Sequence, residues 1–223
     1  MELQDIKDKL PEKLYTIIEK EGISKLRPSQ VKAIDNGLLE RKSLLVCTPT
    51  ASGKTLIAEM AALKSILENQ GKAIYIVPLK ALAAEKFKDF NRKYGENIRV
   101  ALSIGDLDKS DPYLSEYDLI ICTSEKLDSL IRHHTPWLNQ ICTVIIDEIH
   151  LMNDPGRGPT LEILITILKQ LLKNLQIIGL SATIGNPKEL ATWLGANLVV
   201  DNWRPVELHQ GIYLDGKVDF NKK

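Results

Sequence analysis

The sequence predicts an α/β fold in which a doubly wound, mostly parallel sheet carries helices on both faces. The strand candidates at 144–146 and 177–178 are continuous apolar runs without alternation, which is typical of strands covered on both faces. Strand candidates also alternate with helical segments along most of the chain, as in a parallel sheet. Finally, polar clusters follow directly after several strands, where ligands lie in such folds.

The chain opens with a predicted lead-in helix at 1–22. Apolar residues recur there at helical spacing, and Gly22 is a plausible stop. A second helix is expected to begin at Pro28 or Ser29 and to include Leu38, because the apolar spacing continues that far.

The remaining elements follow in alternation. Strands are expected from Ser43 and at 72–77, 99–104, 117–122, 143–147, 176–180 and 198–200. Helices are expected at 56–63, 81–90, 125–132, 160–172 and 187–194. The last helix has the clearest start, because Asn186 suits the N-cap, Pro187 suits the first helical position and Glu189 completes a capping box.

Length and composition fit one domain, placed at 1–205, followed by a tail at 206–223. A chain of 223 residues can bury one substantial core and argues against two complete domains. The 29 basic and 29 acidic residues cancel, so no overall field attracts nucleic acid or a membrane. Any nucleic-acid site must therefore be local.

The cysteines and the hydropathy pattern favour a cytoplasmic protein. Cys47, Cys122 and Cys142 are odd in number and lack paired metal-ligand spacing, so they are expected to be core thiols in a reducing compartment. No charged-then-apolar leader opens the chain, and no run approaches the roughly 18 apolar residues that span a bilayer.

A phosphate-binding loop is predicted between the strand from Ser43 and the helical run 56–63. Its sequence fits the end of the pattern G-x-x-x-x-G-K-[ST], with Thr48 in place of the first glycine. Successive N–H groups before a helix N-terminus attract polyphosphate. Lys54 would meet the terminal phosphates, and the Thr55 hydroxyl would bind Mg²⁺. The predicted ATP-binding residues of the loop are Pro49, Thr50, Ala51, Ser52, Gly53, Lys54 and Thr55. The alternative is an ordinary strand-to-helix turn, since Gly-Lys-Thr also occurs by chance.

Two carboxylates follow the apolar strand at 143–147. Asp147 can hold Mg²⁺, directly or through water, and Glu148 can orient or deprotonate an attacking water. Adjacent acids are also common in loops. Together with the phosphate-binding loop they indicate metal-assisted phosphoryl transfer, which needs both halves. The catalytic residues predicted are Lys54, Asp147 and Glu148.

Other polar residues extend this site. The amide of Gln30, in the first turn of the second helix, offers one donor and one acceptor to an adenine edge. His150, Ser181 and Thr183 are candidates for a polar bridge that senses the γ-phosphate and couples it to the far side of the sheet. The alternatives are an exposed helix-start glutamine and a hydroxyl-rich turn.

These motifs, in this order, resemble the first motor domain of a superfamily-two DExH helicase. The motifs are Arg27–Gln30, Pro49–Thr55, Val77–Leu82, Thr123–Lys126, Asp147–His150 and Ser181–Thr183. Three further stretches resemble the archaeal Hjm family of DNA repair helicases, which is related to the polymerase theta helicase domain. They are Gly105–Asp106, Arg157–Gly158 and Trp203–Val206.

The resemblance implies a RecA-like domain of an ATP-driven, 3′-to-5′ DNA helicase acting on forked, branched and single-stranded DNA. It assigns DNA-backbone contacts to Lys80, Thr123, Ser124 and Arg157, and coupling of hydrolysis to movement to Ser181 and Thr183. Such motors close their nucleotide site with a second RecA-like domain that carries arginines. We therefore expect 206–223 to be a truncated linker toward that missing domain, and this chain alone to be monomeric and nearly inactive.

Three rival functions remain at this stage. A P-loop ATPase whose partner is not nucleic acid would share the loop and the acids but has no need of the Ser181–Thr183 and Thr123–Lys126 motifs. RNA remodelling is a second rival, because DExH motors of the same branch act on RNA. The third is a module that binds ATP or DNA without catalysis, against which Lys54 and Glu148 argue for the whole protein.

Overall fold

The computed structural model of the protein describes residues 1–105, 111–206, 211–214 and 216–220. Asp106, part of one stretch that carries the resemblance, lies outside this range. The strands are β1 (Leu44–Cys47), β2 (Lys72–Val77), β3 (Val100–Ser103), β4 (Leu119–Thr123), β5 (Ile141–Ile146), β6 (Gln176–Ser181), β7 (Asn197–Val200), β8 (Gly211–Leu214) and β9 (Lys217–Phe220). The helices are α1 (Glu12–Lys20), α2 (Pro28–Asp35), α3 (Lys54–Leu67), α4 (Lys80–Tyr94), α5 (Ser124–Arg132), α6 (Gly158–Leu171) and α7 (Pro187–Leu194).

Seven strands form one sheet in the order β3-β4-β2-β5-β6-β1-β7. Every neighbouring pair in it is parallel. This confirms the doubly wound fold and makes the sheet wholly parallel. The carboxyl ends of β1, β2, β4, β5 and β6 therefore meet at one edge. The predicted site residues lie at or after those ends, except Gln30, which lies on α2.

The core lies on both faces of the sheet. Leu44 and Val46 of β1 pack with α1, α2, α3 and α4 on one face, whereas Leu45 and Cys47 pack with α5, α6 and α7 on the other. Each fully buried aliphatic side chain contributes about 1.5–3 kcal/mol, which favours apolar residues in the strands. Thr143 and Gln176 are buried polar exceptions, and both are hydrogen-bonded. All three cysteines are buried thiols.

The prediction of a single lead-in helix at 1–22 is wrong, because the helical conformation is interrupted before Pro11. A 3-10 helix covers Leu3–Lys9, Leu10 is extended with φ −111° and ψ 144°, and only then does α1 begin. A residue that precedes proline is sterically driven out of the helical region, which gives Leu10 this conformation. Gly22, with φ +78°, follows the end of α1 as expected.

Two smaller expectations at helix ends also fail. The second helix ends at Asp35, before Leu38, and Gly37 follows with φ +93°. The N-cap position of α7 is Asn186, but its side chain makes no capping bond and donates instead to Glu189 Oε2 at 3.3 Å. The Glu189 carboxylate, which a capping box would bond to the backbone N–H of the N-cap residue, instead accepts from the Asn186 side-chain amide.

The segment after β7 contains structure that the sequence did not predict. β8 and β9 form an antiparallel hairpin, within the stretch expected to be a linker. Among the described residues, no helix combines the length and the apolar character needed to cross a membrane.

Candidate nucleotide-binding site

The loop between β1 and α3 has a backbone that suits only certain residues. Gly53 lies in the left-handed region with φ +95°, and a Cβ there would lie 2.5 Å from Gln30 Nε2 and 3.0 Å from Arg27 Cδ. Ala51 is also left-handed, with φ +64°. Such strain in a non-glycine residue persists where the surroundings hold it in place, commonly at functional sites.

Side chains from the start of α2 hold that loop through its carbonyl groups. Arg27 Nη1 donates to the Ala51 carbonyl at 2.6 Å. Ser29 Oγ donates to the Ser52 carbonyl at 3.1 Å, and Gln30 Nε2 to the Gly53 carbonyl at 3.1 Å. These hydrogen bonds engage three consecutive carbonyls and so fix the conformation of the loop. The Leu56 N–H donates to the Gly53 carbonyl at 3.2 Å. The N–H groups at the start of a helix otherwise lack partners within it and can bind an anion.

Gln30 lies beside the loop rather than free at a helix start. Its Oε1 accepts from the Arg27 backbone N–H at 2.8 Å, and only 3% of the residue is exposed. The amide thus links the loop to α2. A contact from Gln30 to adenine stays a prediction.

Lys54 and Thr48 stabilise the other end of the loop. Lys54 Nζ donates to the Thr48 carbonyl at 2.9 Å. Burial lowers the pKa of Lys54, while the carboxylates of Glu148 and Asp147 act in the opposite direction. The hydroxyls of Thr48 and Ser52 lie 2.7 Å apart, which gives the threonine that replaces the expected glycine a structural role.

Asp147 and Glu148 stand at the end of β5, at the same edge as the loop. The Asp147 N–H donates to the Ile76 carbonyl at 2.9 Å, and Tyr75 Oη donates to Asp147 Oδ2 at 3.0 Å. Burial, and next the nearby Asp147, raise the pKa of Tyr75 well above its usual value, so the phenol remains a donor. Glu148 has a left-handed backbone with φ +52°, and 39% of its side chain is exposed. It can therefore reach toward a water in the site.

The two predicted metal ligands have a cation beside them. Lys86 Nζ donates to Thr55 Oγ1 at 3.4 Å and lies 4.0 Å from Asp147 Oδ2. A hydroxyl and a carboxylate that share an ammonium group offer the hard oxygen ligands that Mg²⁺ prefers, with room left for water. The residues present therefore fit Mg²⁺, with Thr55 and Asp147 as its protein ligands.

The polar bridge expected from His150, Ser181 and Thr183 is not formed by hydrogen bonds among the described residues. His150 Nδ1 lies 3.3 Å from Glu148 Oε2 without the alignment of a hydrogen bond. Ser181 Oγ is buried without a described partner, whereas Thr183 is exposed. The Ser181 carbonyl accepts from the Thr48 N–H at 3.2 Å, so β6 does contact the loop directly. The coupling role of the three residues stays a prediction.

The predicted nucleic-acid residues lie at or after the carboxyl ends of β2, β4 and β5 and differ in exposure. Lys80 is exposed at the first position of α4, and Arg157 is half-buried just before α6. Thr123 and Ser124 are buried, and Thr123 Oγ1 accepts from the Lys126 N–H at 3.4 Å as the N-cap of α5. The Thr123 hydroxyl is therefore used inside the protein, and of these four residues Lys80 and Arg157 are the ones that solvent reaches.

Sequence reasoning missed several residues of the site, namely Tyr75, Lys86 and the loop-holding role of Arg27 and Ser29. A tyrosine in the middle of an apolar strand is the one usable signal, since a buried phenol requires a partner. Lys86 lies two turns into a helix, and nothing in the sequence around it indicates a role in the site.

Comparison with known proteins agrees with this geometry. A DEAD/DEAH box helicase family model matches residues 27–190, from the first loop-holding side chain to α7. The chain belongs to the DEAD/DEAH box helicase family. Similar relatives include the ATP-dependent DNA helicase Hel308 of Methanocaldococcus jannaschii, 55% identical over 94% of this chain, and that of Pyrococcus abyssi, 52% identical over 93%. They confirm the resemblance to the archaeal Hjm helicases, a family also named after Hel308.

The family members are longer than this chain. It spans 18% of the M. jannaschii protein and 28% of the P. abyssi protein. Among solved structures, the DUF1998 helicase MrfA bound to DNA and AMPPNP is similar, with a TM-score of 0.74 and 29% identity over 87% of this chain and 29% of that one. This supports the RecA-like interpretation of the seven-stranded sheet.

Proposed function

We propose that this chain is the ATP-binding motor domain of an ATP-dependent, 3′-to-5′ DNA helicase that remodels forked and branched DNA in repair and recombination. The observation that carries the proposal is the loop whose carbonyls are held by Arg27, Ser29 and Gln30, facing Asp147 and Glu148 at the same edge of the sheet. The names of the Hel308 relatives support the choice of DNA.

The residues of the site divide the work of phosphoryl transfer. Lys54 leaves the Thr48 carbonyl and donates to the terminal phosphates, which its ammonium can reach without moving α3. Thr55 and Asp147 would hold Mg²⁺, whose charge would offset that of the phosphates. Glu148, exposed and close to Lys54, orients the attacking water. Tyr75 fixes the Asp147 carboxylate through the 3.0 Å hydrogen bond.

The DNA strand is proposed to run over the part of the edge that carries Lys80 and Arg157. Contacts from these cations and from backbone N–H groups near Thr123 and Ser124 would go to phosphates, which position a strand without reading bases. The cytoplasmic location belongs to the same proposal and is supported by three cysteine thiols without a disulfide.

Turnover is proposed to need a second RecA-like domain. Such a domain would place an arginine against the γ-phosphate, and arginine fingers contribute about 10³ to 10⁵ in rate. We propose that this chain, as a monomer, binds ATP weakly and hydrolyses it very slowly, and that the stretch after 205 leads toward the second domain.

The test compares Lys54→Ala with Glu148→Gln. Binding of a fluorescent ATP analogue is measured on this chain, and hydrolysis on a protein that joins it to the second domain, with DNA or RNA strands added. Lys54→Ala should lose binding, because Lys54 is the cation that the phosphate-binding loop itself offers to the terminal phosphates. Glu148→Gln should bind normally and hydrolyse slowly, because Asp147 still holds the metal. Equal loss of affinity in both variants would contradict these roles, and stimulation by RNA alone would contradict the choice of DNA.

A further inference from the structure

A lysine outside the recognised motifs occupies the proposed magnesium site. The Lys86 ammonium, on α4, lies 3.4 Å from Thr55 Oγ1 and 4.0 Å from Asp147 Oδ2, and 21% of its side chain is exposed. It also lies 5.7 Å from the centre of the Tyr75 ring. Lys86 is therefore held by the two metal ligands and by the tyrosine that orients one of them.

The charges around Asp147 determine whether Lys86 or a metal ion lies beside it. A partly buried carboxylate is costly without a counter-charge, and Lys86 supplies one to Asp147 when no metal is bound. A divalent cation placed between the same two oxygens would repel the ammonium more strongly than the carboxylate attracts it. Lys86 and Mg²⁺ thus compete for one position.

A second carboxylate is available to receive the displaced ammonium. Glu59 lies one turn beyond Thr55 on α3, is 3% exposed and accepts from Lys93 Nζ at 3.1 Å. Burial raises the pKa of Glu59, and the charges of Lys93 and Lys86 act against that rise, so Lys86 is already within its electrostatic reach. A displaced Lys86 would therefore remain under the influence of a second carboxylate, which it would share with Lys93.

We propose that Lys86 is a positioning residue which stands in for the metal. Before Mg²⁺ arrives, its ammonium holds Thr55 and Asp147 in their binding geometry and offers a positive charge to ATP that carries no metal. The ammonium would leave these two oxygens when Mg²⁺ binds to them. The inference rests on the proposed function, since it assumes that the site takes ATP with Mg²⁺.

The test is a titration of a fluorescent ATP analogue on this chain, first in EDTA and then against increasing Mg²⁺. Lys86→Met should weaken binding in EDTA roughly tenfold, because the stand-in charge is lost, and should lower the Mg²⁺ concentration for half-maximal binding roughly tenfold, because the competitor is gone. Lys86→Arg, which keeps the charge, should restore binding in EDTA. Lys88→Met is the matched control, since Lys88 is exposed on the same helix, and it should change neither quantity.

The opposite direction of the two effects distinguishes this role from a structural one. If Lys86→Met weakens binding in both conditions, Lys86 supports the fold or binds phosphate beside the metal, and the proposal fails. It also fails if neither quantity changes. Should Lys86→Met not fold, as judged by circular dichroism, Lys86→Gln is tested in the same two titrations. Absence of Mg²⁺-dependent binding by the unmodified chain would instead refute the proposed function.

Discussion

The conformation of the phosphate-binding loop depends on Gly53, so Gly53→Ala is the most direct test of how the loop is held. The new Cβ would lie 2.5 Å from Gln30 Nε2, closer than side-chain carbons are found to such atoms. Gln30 cannot simply turn away, because it is 3% exposed and both ends of its amide are hydrogen-bonded. The substitution must therefore break those bonds or move α2.

Two contributions set the size of the effect. Placing alanine in the left-handed region costs about 1–2 kcal/mol. Losing the two hydrogen bonds of Gln30 adds about 1–3 kcal/mol. Gly53→Ala should thus lower the free energy of unfolding by about 2–5 kcal/mol and also weaken ATP binding, because the carbonyls turn when Gln30 moves.

Urea unfolding followed by circular dichroism measures the loss, with Gly195→Ala as the matched control. Gly195 has φ +68° at the end of α7, but a Cβ there would meet nothing within 4 Å, so its substitution isolates the backbone cost. The excess of Gly53→Ala over Gly195→Ala should be about 1–3 kcal/mol. Equal losses in the two variants would refute the claim that Gln30 is pinned against the loop.

Two further predictions concern the exit from β7 and the DNA edge. Asp201 accepts from Lys32 and from the Trp203 N–H; burial alone would raise its pKa, but these contacts lower it below the usual value. The folded state therefore favours the ionised form, so Asp201→Asn should cost about 0.5–1 kcal/mol at neutral pH. The difference should fade as the pH falls below about 4, as shown by urea unfolding at several pH values; a difference that persists at pH 2 would contradict it. Lys80→Ala should reduce the slope of log binding constant against log salt concentration by about one for single-stranded DNA, and by the same amount for every DNA sequence. Lys173→Ala, at the amino edge of the sheet, should leave this slope unchanged. Fluorescence titrations at several salt concentrations measure this, and a strong sequence preference would contradict it.

The parts of this structure that the sequence predicted are those with local causes. The strand β5 and the acids after it follow from a run of apolar residues that ends at Asp147, and α7 follows from Pro187. The interruption of the helix before Pro11 was also predictable from local sterics. The apolar spacing continues across it and, taken alone, suggests one uninterrupted helix. The spacing of apolar residues indicates which side chains face the core. A proline instead restricts the backbone of the residue before it, and that spacing does not show this restriction.

The contacts that hold the site could not be predicted, because they join residues far apart in the sequence. Arg27 meets Ala51 across 24 positions, and Tyr75 meets Asp147 across 72. Neither the length of a side chain nor its charge indicates which carbonyl or carboxylate it will reach. These contacts become possible only when the sheet brings the carboxyl ends of β1, β2 and β5 to the same edge.

The Arg27 side chain contacts both the phosphate-binding loop and the segment after β7. The Arg27 guanidinium donates to the Ala51 carbonyl and lies 5.7 Å from the centre of the Trp203 ring, beyond β7. Asp201 ties the same exit segment to α2 through Lys32, at 2.8 Å. A shift of the Ala51 carbonyl must therefore either break its bond to Arg27 or move the guanidinium against Trp203. Arg27, just before α2, and Lys32, within it, thus connect this helix to both the loop and the segment after β7.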